Sequence, residues 1–339
     1  MFGKEPGQMI DRVVQRDEVV ETFLSLEPSQ MVYMVAGVRG SGKTVFLTDI
    51  MNIFRKQKDW IVLQLNPERD LLQALLAKLC AESAIIKILK NTSLNLSFFG
   101  LGVTVERNEP PITDVEAALT GVLEQVKKNG KRVLIAIDEV SNNPNIKTFS
   151  AAYQIFVQQE LPVFLVMTGL YENIYNLQNE KTLTFLYRAP KLRLRALNIG
   201  SMAASYLRTL DISEETARKM AQLTKGYAFA FQVLGYYTFQ NDGDYEKAIA
   251  PTRLYLEEYV YERIWMDLSA RDRKILYVIT QTPSCTVMEV REKLEMKPNE
   301  FAPYRERLIR KGILDGSERG MLYFSLPFIE EYVVDHYFE

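Results

Sequence analysis

The sequence predicts an α/β fold, in which a three-layer parallel-sheet domain is followed by a helical lid and then by a C-terminal winged helix. Three observations predict it. Between Met31 and Asp138 short apolar runs alternate with longer helical patterns, as in a sheet with crossover helices. The first apolar run leads straight into the glycine-rich segment Gly37–Thr44. Beyond Asn198 strand-like runs cease until Ile313, and helical periodicity takes over.

Four buried strands are expected: Met31 to Ala36, Trp60 to Leu65, Arg132 to Asp138 (R-V-L-I-A-I-D) and Pro162 to Thr168 (P-V-F-L-V-M-T). Continuous apolar runs of this kind suit parallel strands covered on both faces. Lys191 to Leu197 alternates basic and apolar residues, as an edge strand with one wet face does. Helices are expected over Thr44 to Lys56, Asp70 to Ile88, Thr113 to Asn129 and Ile146 to Glu160. Leu94, Leu96 and Phe98, then Val103 and Val105, alternate with polar residues around Phe99-Gly100-Leu101-Gly102, which predicts a β-hairpin insertion at about 93–107. The predicted boundaries are 1–198 for the sheet domain, 199–267 for the helical lid and 268–339 for the winged helix. That last unit rests on helical patterns at Ala270 to Thr280, Thr286 to Glu295 and Asn299 to Lys311, followed by two short apolar segments around Gly316-Ser317-Glu318-Arg319-Gly320.

Bulk composition narrows the function classes. With 339 residues, 47% apolar content and a formal net charge of −2, the chain can bury more than one core and has no globally basic surface. Cys80, Cys285 and His336 are scattered, which argues against structural zinc and a disulfide framework. No apolar run reaches the eighteen or so residues of a membrane span, and Met1 to Val13 has no signal-type apolar stretch. A cytoplasmic protein with no membrane contact is the expectation.

The chemistry is expected at Gly37, Val38, Arg39, Gly40, Ser41, Gly42, Lys43, Thr44 and Val45, where G-x-x-x-x-G-K-T joins a strand to a helix. Backbone N–H groups around Gly40 to Thr44 and the helix N-terminus would converge on one anion. Lys43 would pair with the β- and γ-phosphates of ATP, and the Thr44 hydroxyl would bind Mg²⁺. Asp138 ends an apolar strand, where a carboxylate is costly unless it faces a cation, so it is the second metal candidate. Glu139, next at the strand's carboxyl end, is placed to activate the attacking water. Thr168 at the end of the following strand could hold that water or the γ-phosphate, and a plain strand-end threonine fits the same position. Arg188 could place a guanidinium on the transferring phosphoryl group, and a solvated surface arginine fits there too.

Together the P-loop, V-L-I-A-I-D-E, V-M-T-G, the helical lid and the terminal winged helix resemble the AAA+ ATPases. The likeness is closest to the archaeal-type ATPases related to STAND regulators and archaeal origin-recognition initiators. The resemblance implies that Arg12, in Ile10-Asp11-Arg12, helps to hold the nucleotide, that Thr168 is the sensor, and that Arg188 is the arginine following the sensor strand. Lys225 to Ala230 resembles the lid's glycine-x-proline motif, with Ala228 where proline is usual and no lid arginine.

Three functions follow as expectations: an Mg-dependent ATPase acting as a slow conformational switch, an ATP-controlled DNA-binding initiator or mobile-element protein, and a nucleotide-loaded scaffold that barely hydrolyses. Arg305, Arg307 and Arg310 on the third winged-helix pattern are the residues that would lie on duplex DNA. From Leu268 to Glu339, however, eleven basic residues face twelve acidic ones, a balance that suits a protein partner or a second copy of the chain equally well.

Overall fold

A computed structural model describes residues 10, 12–89, 92, 94–100 and 112–338, Phe98 by its backbone alone. These residues form two compact units, the first built from Arg12–Ala36 and Lys43–Arg193, the second from Gly37–Gly42 and 194–338.

In the first unit the order is α1 (Val13–Leu24), β1 (Val32–Ala36), α2 (Lys43–Arg55), β2 (Trp60–Leu65), α3 (Leu71–Ala81), α4 (Ser83–Leu89), α5 (Val115–Lys128), β3 (Arg132–Ile137), α6 (Pro144–Gln158), β4 (Val163–Gly169), α7 (Tyr171–Gln178), α8 (Thr184–Tyr187) and β5 (Lys191–Arg193). The five strands are all parallel, in the order β2-β3-β4-β1-β5. Their side chains leave by alternate faces. On one face Val32, Met34 and Ala36 of β1 join a core with the leucines of α3, Val122 of α5 and Phe149 of α6. On the other, Tyr33, Phe23, Phe54, Trp60 and Phe164 form an aromatic cluster with ring centroids 4.3–6.1 Å apart. Asp70, Asp114 and Asn143 start α3, α5 and α6 by accepting backbone N–H groups of the first turn.

The structure departs from three sequence expectations. The single helix expected over Asp70 to Ile88 is two, because Glu82 is extended (ψ 126°). An unbroken helix continuing the Leu75–Leu79 face would bring Ser83 and Ile86 inward, whereas the break re-phases the chain so that Ile85 and Leu89 are fully buried. The first arm of the expected hairpin is not a strand. Asn95 Oδ1 accepts from the Ser97 N–H at 3.2 Å and the Ser97 hydroxyl at 2.6 Å, a local turn that competes with strand pairing, and a 3₁₀ turn follows at Ser97–Phe99. The second arm, Val103 to Val105, lies outside the described residues, and the apolar side chain of Phe99 packs on the sheet core. The edge strand is at the sheet edge as expected, but ends at Arg193 instead of Leu197, since the Leu197 N–H is taken by the Gly226 carbonyl at 2.8 Å.

The second unit contains α9 (Ile199–Thr209), α10 (Glu214–Leu223), α11 (Ala228–Gln240), α12 (Tyr245–Leu256), a π-helical turn (Glu257–Tyr261), α13 (Glu262–Met266), α14 (Ala270–Thr280), α15 (Val287–Lys293), α16 (Pro298–Arg310), the antiparallel pair β6 (Leu314–Asp315) and β7 (Tyr323–Phe324), and α17 (Ile329–His336). One core joins Met202, Tyr206, Met220 and Phe231, and another joins Leu256, Val260 and Tyr261 to Ile275, Phe301, Leu308 and Val333. The Tyr255 to Met266 stretch thus packs α12 and its π-helical continuation against the three-helix end of the chain. Among the described residues no helix is long and apolar enough to cross a membrane.

Candidate functional site

Sheet register explains why the acidic pair of β3 has partners. β4 lies between β3 and β1, pairing Ile137 with Met167 on one side and Val35 with Thr168 on the other. The residue after Ile137 is therefore level with Thr168 at the carboxyl edge of the sheet, where parallel α/β sheets bind ligands. Asp138 uses both carboxylate oxygens there. Oδ2 accepts the Thr44 hydroxyl at 2.6 Å from the first turn of α2, while Oδ1 accepts the Thr168 hydroxyl and the Glu139 N–H, the latter at 3.0 Å.

Glu139 is exposed, and its φ of 54° lies in the left-handed region, where a non-glycine residue costs about 1 kcal/mol or more. The surroundings hold it in place. Its own N–H is bound to Asp138, and the Val140 N–H donates to the Thr168 carbonyl at 2.8 Å, so the turn is stitched to β4 on both sides of Glu139.

Gly37 to Gly42 links β1 to α2. Gly37 and Ser41 are buried, Arg39 is exposed, and the Ser41 N–H donates to the Val38 carbonyl at 3.2 Å, which curls the loop. Gly40 and Gly42 have φ of +73° and +88°, the two positions where the curl demands glycine. Lys43 and Thr44 open α2, with Lys43 only 8% exposed and Val45 half-buried behind them.

The donor set fits the groups that the sequence implies. A hydroxyl has one proton and two lone pairs, and Thr44 spends its proton on Asp138, leaving its oxygen free to ligate a cation. Mg²⁺ needs only one or two protein oxygens beside phosphate and water, so Thr44 with Asp138 behind it suffices. No cluster of three or more His, Cys, Asp or Glu suited to a metal occurs among the described residues.

The remaining candidates are placed differently. Arg12 is half-buried at the start of α1, and desolvation pushes its guanidinium down to about 10, partly offset by Tyr171. Arg188 is exposed at the end of α8. Asp11 lies outside the described residues. Of the three arginines proposed for DNA, Arg307 donates through Nε (3.2 Å) and Nη2 (2.6 Å) to Asp272 and lies over the Tyr304 ring, Arg310 pairs with Glu306, and Arg305 reaches the Gly316 carbonyl at 3.5 Å.

Asp272 has a side chain only 3% exposed, so removal of its partner has a measurable cost. Arg307→Ala is expected to destabilise the second unit by about 2 kcal/mol. This is below the usual range for breaking a buried pair, because the arginine is 41% exposed and Ser269 still donates to Asp272 at 2.6 Å. Urea denaturation checks it; an unchanged midpoint would show that the pair contributes nothing.

Sequence reasoning did not single out Tyr227, whose hydroxyl donates to the Arg39 carbonyl of the glycine loop at 2.6 Å. Its only signal is its place beside Gly226 in Lys225 to Ala230.

Residues 258–333 match a family described as a domain of unknown function (DUF8462). No curated protein matches the chain. Among solved structures the chain is similar to the ORC2 protein of Aeropyrum pernix in its ADPNP–ADP complexes, with 13% identity, 99% of this chain and 96% of that one covered, and a TM-score of 0.59. The ADP form of the same protein gives 12% identity, the same coverage and a TM-score of 0.51. The chain has the fold of the Aeropyrum pernix ORC2 protein.

Proposed function

We propose that the protein is an Mg²⁺-dependent ATPase of low turnover that works as a nucleotide-dependent conformational switch. The observation that carries this reading is the Thr44 hydroxyl donating to Asp138 at the carboxyl edge of a parallel sheet, immediately after a glycine loop and a lysine. Bound Mg²⁺ and ATP would supply the electrophilic phosphorus and the charge neutralisation. Gly40 to Gly42 and the first amides of α2 would bind the phosphates, Lys43 would pair with the β- and γ-phosphate oxygens, and Thr44 would ligate the metal with Asp138 behind it. Val38 and Val45 would flank the bound nucleotide, and Arg12 would contribute a guanidinium whose burial an anion would offset.

Glu139 is assigned as the group that orients the attacking water and takes its proton. Thr168, with its proton committed to Asp138, fixes that carboxylate and keeps lone pairs that can accept a hydrogen bond from the same water. Arg188 is exposed, which suits an arginine acting on the nucleotide of a neighbouring copy. The Aeropyrum pernix ORC2 protein, described with ADPNP and ADP, supports nucleotide as the ligand.

Duplex DNA as a partner of the terminal three-helix segment draws less support, because Arg307 and Arg310 already serve Asp272 and Glu306. A protein partner or a second copy fits that charge-balanced face better. Phosphate release from ATP, measured with Mg²⁺ and with EDTA, tests the proposal. Metal-dependent release that is insensitive to duplex DNA is the expected result; tight ATP retention without release would favour a nucleotide-loaded scaffold, and no binding at all would end the reading.

A further inference from the structure

We infer that Tyr227 is a positioning residue for the phosphate loop, fixing the direction of the Gly40 amide through the carbonyl of Arg39; the inference rests on the nucleotide reading above. A trans peptide is planar, so the carbonyl of Arg39 and the N–H of Gly40 point in opposite directions. Whatever holds that carbonyl therefore aims that N–H. The Tyr227 hydroxyl donates to it at 2.6 Å, and the Gly40 N–H has no acceptor among the described residues.

Steric fit points the same way. A Cβ at Gly40 would overlap the Tyr227 hydroxyl, lie 2.9 Å from its Cζ and come within 3.0 Å of the Phe229 Cβ. The absence of a side chain at Gly40 thus serves the tyrosine contact as well as the left-handed φ of +73°. Tyr227 cannot swing away at low cost. It is 5% exposed, belongs to the core with Ala230, Leu256, Val260 and Tyr261, and its N–H donates to the Thr224 carbonyl at 2.8 Å. Gly226 makes the turn that delivers it: φ is +74°, and a Cβ there would meet the Leu197 carbonyl oxygen at 2.7 Å. Burial raises the phenol well above its ordinary range, so the hydroxyl keeps its proton and stays a donor.

A brace of this kind acts on the phosphates and is blind to the base. Its loss should therefore weaken every ligand that uses the loop by the same factor. Tyr227→Phe keeps the ring and deletes the hydroxyl. With Mg²⁺ present, its Kd for ADP and its Kd for inorganic tripolyphosphate are both expected to rise about five-fold, the equivalent of one net hydrogen bond. Tyr206→Phe is the matched control, because Tyr206 is also buried and donates to a backbone carbonyl, that of Phe231, at 2.7 Å. It is expected to leave both constants within two-fold of wild type.

Wild-type binding with Tyr227→Phe unchanged would overturn the inference and leave the nucleotide reading standing. A loss seen for ADP but not for tripolyphosphate would also overturn it, by making the tyrosine a base contact. Equal losses in the two variants, or failure of Tyr227→Phe to unfold cooperatively, would assign Tyr227 to general core stability and overturn it likewise. A wild type that binds neither ligand would end both the nucleotide reading and the inference.

Discussion

Glu139→Gln is expected to bind ATP with unchanged affinity and to release phosphate about 10²–10⁴-fold more slowly than wild type, the usual contribution of a positioned general base. Glutamine preserves the length and shape of the side chain and removes the basic oxygen. It also meets the same backbone demand, since a φ of 54° strains either side chain alike and the bonds that hold it come from the Glu139 and Val140 N–H groups. A fall in turnover without a fall in stability would therefore report chemistry. Single-turnover phosphate release alongside equilibrium ATP binding separates the two. Unchanged turnover would mean that the carboxylate activates no water, and that the left-handed turn serves only to aim Asp138.

How far the site could be read from sequence depended on how local its determinants are. The placement of the loop, Lys43, Thr44, Asp138 and Glu139 at the carboxyl edge of the sheet is legible because they directly follow apolar runs that can only be buried strands. The link between Thr44, Asp138 and Thr168 is not legible, because it depends on strand order: β4 had to lie between β1 and β3 for Thr168 to reach Asp138. Likewise, nothing in the sequence shows that Arg307 of α16 is the partner of Asp272, thirty-five residues earlier.

The expected elements held where periodicity was strong, and the first arm of the expected hairpin failed because a side chain captured nearby backbone. Asn95 shows the mechanism: its carboxamide binds Ser97 and turns the chain where alternation alone predicts a strand. Residues 171–178 were missed for a different reason. The helix α7 is short and buries only Ile174, Leu177 and Gln178, too little for a readable apolar face.

Lys43→Ala is expected to weaken ATP binding by about a hundred-fold, because a lysine paired with phosphate oxygens contributes on the order of 3 kcal/mol through charge-assisted hydrogen bonds. Stability reports this directly. At a ligand concentration one hundred times the wild-type Kd, binding stabilises the folded wild type by about 2.7 kcal/mol, whereas a hundred-fold weaker variant gains only about 0.4 kcal/mol. Lys43 is 8% exposed, so its replacement also changes the protein without ligand, and each variant must be referred to its own ligand-free unfolding curve. The quantity to compare is the shift on adding Mg²⁺ and ATP. A normal shift in Lys43→Ala would show that the amides of the loop and of α2 carry the affinity alone, and Lys43 would then lose its role in binding while remaining open to one in turnover. A shift cut to about 0.4 kcal/mol, with cooperative unfolding retained, places the phosphates against Lys43 and makes the glycine loop a nucleotide site in fact as well as in form.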